Sequence, residues 1–147
     1  DLLETAEKVV VFARHRDVID ALWTDLSPDF GAAIFQGGMS DEGKKKAVDG
    51  FRGGARVFIG QIQAAGTGIN GLQDACSTVV FAELDWVPGT MSQAVDRLHR
   101  IGQKASAVNV YLLHIPGTLE SAVLSVQDAK SKVIERLMHD NILGDLV

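Results

Sequence analysis

Five short apolar runs rich in β-branched residues alternate with helix-patterned stretches, and no other feature of this chain restricts its fold as tightly. Residues 8–13 (Lys-Val-Val-Val-Phe-Ala) are almost continuously apolar, as a strand buried on both faces of a parallel sheet must be. Similar runs recur at 32–35, 56–62, 78–82 and 108–114. Between them, 17–26 carries Val18, Ile19, Leu22 and Leu26 at helical spacing, with Pro28 as its stop. Ser40 is placed to cap a helix to about Phe51, with Val48 and Phe51 facing inward. Pro88 marks the start of a helix running through Arg100. Thr118 opens a long closing helix with Leu119, Val123, Val126, Val133 and Leu137 on one stripe. The pattern predicts an α/β fold: one parallel sheet flanked by helices on both faces, in a single domain. In such sheets ligands bind outside the carboxyl ends of the strands. That directs attention to 14–16, 36–40, 61–71, 83–89 and the Ile101-Gly102-Gln103 turn.

The 147 residues suit one domain, and 46% apolar with 22% charged residues excludes a disordered chain. No apolar run approaches the roughly 20 residues of a membrane span. The amino terminus carries acids where a secretory signal carries bases. It has no initiator Met, which predicts a piece of something longer. Cys76 is the one cysteine, and His15, His99, His114 and His139 show no zinc spacing around it. An intracellular, reducing setting follows as the expectation. Lys and Arg total 14 against 19 Asp and Glu, a net charge of −5. A small autonomous nucleic-acid binder is normally basic, so the balance argues against one while leaving local phosphate contacts open.

Two glycine motifs point the wrong way. Residues 38–45 nearly spell a Walker loop, but Lys45 stands where a hydroxyl must hold Mg²⁺, and Asp41 and Glu42 would repel phosphates. A capped helix start is the better reading. Gly66-Thr67-Gly68-Ile69-Asn70-Gly71 is a literal GxGxxG, with Glu83 near the offset of a ribose-binding acid. Only six residues separate Gly71 from the strand at Thr78, too few for the helix that must face a pyrophosphate. A dinucleotide-binding Rossmann domain is therefore the weaker alternative.

The stretch from Gln93 to Gln103 is more informative. It puts Gln93, Arg97 and Arg100 at i, i+4 and i+7, on one face of the expected helix. Two converging guanidiniums repel each other unless a polyanion arrives between them, and Arg matches phosphate oxygens with a planar fork. A solvated helix whose arginines are neutralised by Asp96 and other acids explains the same residues equally well.

Asp96-Arg97-Leu98-His99-Arg100-Ile101-Gly102-Gln103 resembles the final motif of the SNF-type (switch/sucrose-non-fermenting) DNA translocases of helicase superfamily two. The likeness extends over residues 8–137. Residues 8–15 resemble motif IV and its exit loop, and Gly37, Lys44 and Phe51 fit the next element. Residues 64–70 resemble motif V, residues 80–89 the stretch before motif VI in the annealing-helicase subgroup, and 117–120 the start of the closing helix. Gln61 and Gln63 replace the family's hydroxyls before motif V, Val87 its Asn between Trp and Pro, and Lys44 its usual Arg.

The resemblance implies the carboxyl-terminal, RecA-like lobe of a two-lobed DNA-dependent ATPase. It places a lead-in at 1–7, the lobe at 8–138 and a tail at 139–147. ATP and Mg²⁺ would be held mainly by a first lobe, since this sequence has neither an intact Walker loop nor an Asp-Glu-x-His box. This chain alone would then be inactive. Arg100 is implied as the principal arginine finger, Arg97 as its partner, Gln93 as a polar contact to ATP, and Gly68 and Asn70 as shaping motif V. DNA, duplex or forked, would be contacted through its phosphates by Arg14, His15, Gly37, Gly38, Gln63 and Thr67, with Trp86 pressing on the duplex. Such a protein works wherever DNA lies, in nucleoid, cytoplasm or nucleus, and needs no membrane. An RNA helicase lobe would normally carry Gly in place of Asp96, and a catalytically silent RecA-like binding module would not need all of Gln93, Arg97 and Arg100.

Overall fold

The computed structural model describes residues 2–66, 69–85, 87–113 and 117. Thr67, Gly68, Trp86, the stretch from Thr118 expected to form the closing helix, and the expected tail lie outside them. A short helix α1 (Leu2–Thr5) leads into β1 (Val9–Ala13), α2 (Arg16–Phe30), β2 (Ala32–Phe35), α3 (Asp41–Gly53) and β3 (Val57–Gln61). A 3-10 turn (Ile62–Gly66), β4 (Thr78–Phe81), α4 (Pro88–Asp96) and β5 (Asn109–Leu112) complete it. Among the described residues all pairings are parallel, in the order β2-β3-β1-β4-β5.

Alternation along β1 builds two apolar layers, because successive side chains point to opposite faces. Val9, Val11 and Ala13 join Val57, Ile59 and Val80 on one face, where Ile19, Leu22 and Leu26 of α2 and Leu2, Leu3 and Ala6 pack. Val10 and Phe12 join Phe35, Phe58 and Phe81 on the other, under Val48 and Phe51 of α3 and Met91 and Ala94 of α4. Aromatic rings interlock this second layer: Phe12 stacks on Phe81 at 5.6 Å, and Phe51 meets Phe58 edge-on at 5.4 Å. Each such pair adds about 0.5–1.5 kcal/mol beyond its burial.

Ser40 caps α3 as its sequence requires, its Oγ accepting from the Gly43 amide at 3.1 Å, so the Walker-like segment is a helix start. No helix intervenes between Ile69 and β4, so the glycine run lacks the dinucleotide-binding element. Two helix limits differ from expectation. Helix α2 runs through Pro28 to Phe30. Pro28 sits in the last turn, where its missing N–H forfeits a single bond and Gly31 closes the helix on the Ser27 carbonyl at 3.0 Å. Helix α4 stops at Asp96, because the amides of Arg97 and Leu98 turn back to carbonyls only three residues behind, at 3.3 and 2.9 Å.

Candidate functional site

The carboxyl ends of β1, β2, β3 and β4 carry most of the residues singled out in the sequence, and internal hydrogen bonds stitch these ends together. Glu83, just past β4, accepts from the Arg14 and His15 amides with Oε2, at 2.7 and 2.8 Å. Its Oε1 meets the His15 ring Nδ1 at 2.7 Å. Gln61, at the end of β3, accepts from the Gly37 amide at 2.9 Å and donates to the Arg14 carbonyl at 3.3 Å. Arg16, the first residue of α2, donates to the Gly37 carbonyl at 2.9 Å. Gly38 turns the loop with φ of +84°, the left-handed region where a side chain is strained. The structure thus gathers Arg14, His15, Gly37 and Gly38 at one edge. Gln63 is exposed on the neighbouring 3-10 turn.

Burial pushes the Glu83 carboxyl up, yet the His15 amide, the His15 ring and the Arg14 amide outweigh that and hold it below the usual carboxylate range. The ionised form is the one these donors favour. It also lies against the amino end of α2, where the helix dipole favours an anion.

Gln93, Arg97 and Arg100 converge as expected, but by a different route. Gln93 lies on α4, Arg97 caps its end, and Arg100 stands in the turn that follows, so they do not share one helical face. They nevertheless line one open depression of about 390 Å³ with Asp96 and His99. The Arg100 side chain is exposed. Leu98 anchors the segment in the core, and Gln103 holds the far side of the turn. The Gln103 Nε2 donates to the Cys76 and Leu98 carbonyls at 2.8 and 3.2 Å, and Gly102 makes the reversal with φ of +101°. Cys76 lies just before β4, so this turn belongs to the amino edge of the sheet. The expectation that it neighbours the carboxyl-end loops is corrected: the chain must return to the amino edge before β5 can run parallel to β4.

Asn70 stands apart from the arginines, lining a depression beside α3 with Lys44 and Lys45. Gly68, Thr67 and Trp86 lie outside the described residues. Glu83, Gln61 and Gln103 are the polar residues that reading by type undervalues. Glu83 draws attention only as a ribose-binding acid and Gln61 only as a departure from the family's hydroxyls, whereas both organise backbone.

At the amino edge the cations serve structure. Lys8 donates to the Phe51 carbonyl, to Ala55 at 2.9 Å and to Gly53 at 3.4 Å, capping the end of α3. Arg56 donates to the carbonyls of Leu3, Ala6 and Glu7, at 2.6, 3.1 and 2.9 Å. Arg52 pairs with Asp74 at 2.7 Å. Burial pushes the Cys76 thiol up, and its Sγ donates to the Lys8 and Thr78 carbonyls at 3.1 and 3.3 Å.

Three comparisons bear on this arrangement. The pattern of the helicase conserved C-terminal domain matches residues 1–102. The chain is 38% identical over 129 residues to the human DNA annealing helicase and endonuclease ZRANB3, covering 86% of this chain and 12% of that protein. It is 36% identical over 138 residues to the SWI/SNF-related matrix-associated actin-dependent regulator of chromatin subfamily A-like protein 1 of Xenopus tropicalis, covering 91% and 14%. The chain therefore spans only about a seventh or less of the length of these relatives. In three dimensions it is similar to the crystal structure of the C-terminal part of the Fun30 ATPase domain, with a TM-score of 0.77 and 26% identity, covering 86% of this chain and 40% of that one. The fold is thus RecA-like, in one domain.

Proposed function

The chain belongs to the helicase conserved C-terminal domain family, and from that premise we propose that it is the second motor lobe of an ATP-dependent DNA translocase. The observation that carries the reading is the convergence of Gln93, Arg97 and Arg100 on one open depression. Cations gathered this way suit the triphosphate of ATP, bound in a cleft between this lobe and a first lobe that supplies the Walker lysine and the Mg²⁺-binding acids. Bound ATP supplies the phosphoryl group that is transferred. Arg100 offers its fork to the charge that develops there, Arg97 supports it from the helix end, and Gln93 makes a polar contact at the lobe boundary. Gly68 and Asn70 belong to the loop that shapes the approach.

A motor that steps along any sequence must hold phosphates, not base edges. Arg14, His15, Gly38, Gln63 and Thr67 are the phosphate contacts in this reading, with Gly37 shaping the loop and Trp86 against the duplex. The Arg14, His15 and Gly37 amides are already engaged by Glu83 and Gln61. Side chains, with the Gly38 backbone, therefore carry the contact. The likeness to the DNA annealing helicase ZRANB3 supports an annealing-helicase type of activity on DNA, with duplex or forked DNA as the proposed substrate.

A coupled ATPase assay tests the proposal. The 147-residue chain should give no turnover, with or without duplex DNA, while the full-length protein should give DNA-stimulated turnover. In the latter, Arg97→Ala and Arg100→Ala together should cost much less than the sum of the two, because both forks serve one group. Turnover that tracks the isolated chain, or an additive double variant, would remove the half-site reading.

A further inference from the structure

Strand order gives Glu83 a special place. Beyond β1 the chain crosses one face of the sheet by α2 toward β2, and beyond β4 it crosses the other face by α4 toward β5. Strands β1 and β4 are neighbours, so the crevice between their carboxyl ends is the topological switch point, where sheets of this kind bind ligands. Here the chain fills that crevice with its own anion. The Glu83 carboxylate takes the Arg14 and His15 amides and the His15 ring nitrogen, donors at the start of α2 that an incoming phosphate would otherwise use. With one side chain it therefore fixes the loop bearing Arg14 and His15 against the segment that leads, through four residues, to α4 and the arginines.

We infer that Glu83 is a positioning residue that couples the phosphate-contact loop after β1 to the arginine-bearing segment after β4. The inference rests on the motor-lobe reading. It requires that DNA drawn to Arg14 and His15 displaces or steadies the start of β4's exit loop through this carboxylate, and that the displacement reaches Gln93 and Arg97 along a packed helix. Gln61 steadies the same loop from the β3 side by holding the Arg14 carbonyl, so movement of the loop is directed toward β4. The His15 ring is the lesser part of the link, since two of the three bonds are to main-chain amides.

The test compares Glu83→Ala, Glu83→Gln and His15→Ala in the full-length protein, by turnover with saturating duplex DNA, turnover without DNA, and thermal midpoint. Glu83→Ala should lower DNA-stimulated turnover about tenfold or more, as small misplacements of a site do. Its DNA-independent turnover should stay within about twofold of the original, as for a site that is not disturbed. Glu83→Gln should recover part of the loss, because an amide oxygen still accepts from the two amides, and it serves as the folded control if the alanine variant does not fold. His15→Ala should lose less than Glu83→Ala. The inference is overturned if both Glu83 variants keep full DNA stimulation, if stimulated and unstimulated turnover fall together, or if His15→Ala equals Glu83→Ala. Arg100→Ala run alongside separates the two readings. Active Arg100→Ala protein defeats the motor lobe itself, whereas inactive Arg100→Ala with fully stimulated Glu83 variants defeats the coupling alone.

Discussion

The two edges of the sheet use charge in opposite ways. At the amino ends of β1 and β3 the cations are consumed by the fold: Lys8 and Arg56 each reach three backbone carbonyls, and Arg52 holds Asp74. At the carboxyl edge an anion and an amide do most of this instead, with Arg16 on the Gly37 carbonyl. Glu83 and Gln61 engage the amides of Arg14, His15 and Gly37, and Gln61 also holds the Arg14 carbonyl. A basic residue in this chain therefore reveals its purpose by what its donors touch. Where carbonyls surround it, it is part of the scaffold. Where acids and amides have already satisfied its surroundings, as around Arg14, the scaffold does not need its charge.

The largest effect should come from exchanging one residue of each kind. In the full-length protein, Arg100→Ala should lower turnover by about 10³–10⁵, roughly 4–7 kcal/mol of transition-state stabilisation. Stability against denaturant should hardly change, since the Arg100 side chain is exposed. Lys8→Met should do the reverse. It keeps an unbranched side chain but strips from the end of α3 a donor that also lies over the Phe51 ring, at a cost of about 1–3 kcal/mol in stability. If Arg100→Ala unfolds the lobe, or Lys8→Met abolishes turnover while leaving stability intact, the contrast between exposed and scaffold cations collapses.

Most of this fold was legible because its signals are local. The run from Val9 to Ala13 can be buried on two faces only inside a parallel sheet, and Ser40 caps the helix that its own side chain nucleates. The two misplaced helix limits share a cause: a helix end is decided by tertiary context. Pro28 in a final turn is tolerated, and Arg97 to Gly102 unwind because Leu98 is drawn into the core while Gln103 is tied to Cys76. The arginine cluster could be anticipated from spacing because a turn and a helix can both bring i, i+4 and i+7 together. The roles of Glu83, Gln61 and Gln103 could not. Each acts on at least one backbone group between 27 and 69 positions away, and nothing in the type of residue records such a partner.

Acid should sharpen the same contrast at smaller scale. Glu83 is held below its ordinary value of about 4.3, so it contributes stability that is present above that value. The contribution is lost as pH falls from there through the lower folded value. Glu83→Gln should therefore be less stable than the original chain near neutrality, and the two should converge at the acid end of a series of denaturation curves. A constant gap down to the acid end would mean that the carboxylate charge contributes nothing through these bonds.

The smallest effect is electrostatic and belongs to binding. Each phosphate neutralised on duplex DNA contributes a slope of about −0.9 in log affinity against log salt. Arg14→Ala should thus make the full-length protein's slope shallower by about one, with a modest loss of affinity in low salt and the same loss on unrelated sequences. Arg56→Ala removes a cation of equal charge from the other edge, where its donors are engaged by the carbonyls of Leu3, Ala6 and Glu7. Its slope should remain that of the original protein while its denaturation midpoint falls. Equal slopes for the two variants would show that net charge governs attraction to DNA, and that Arg14 holds no phosphate of its own.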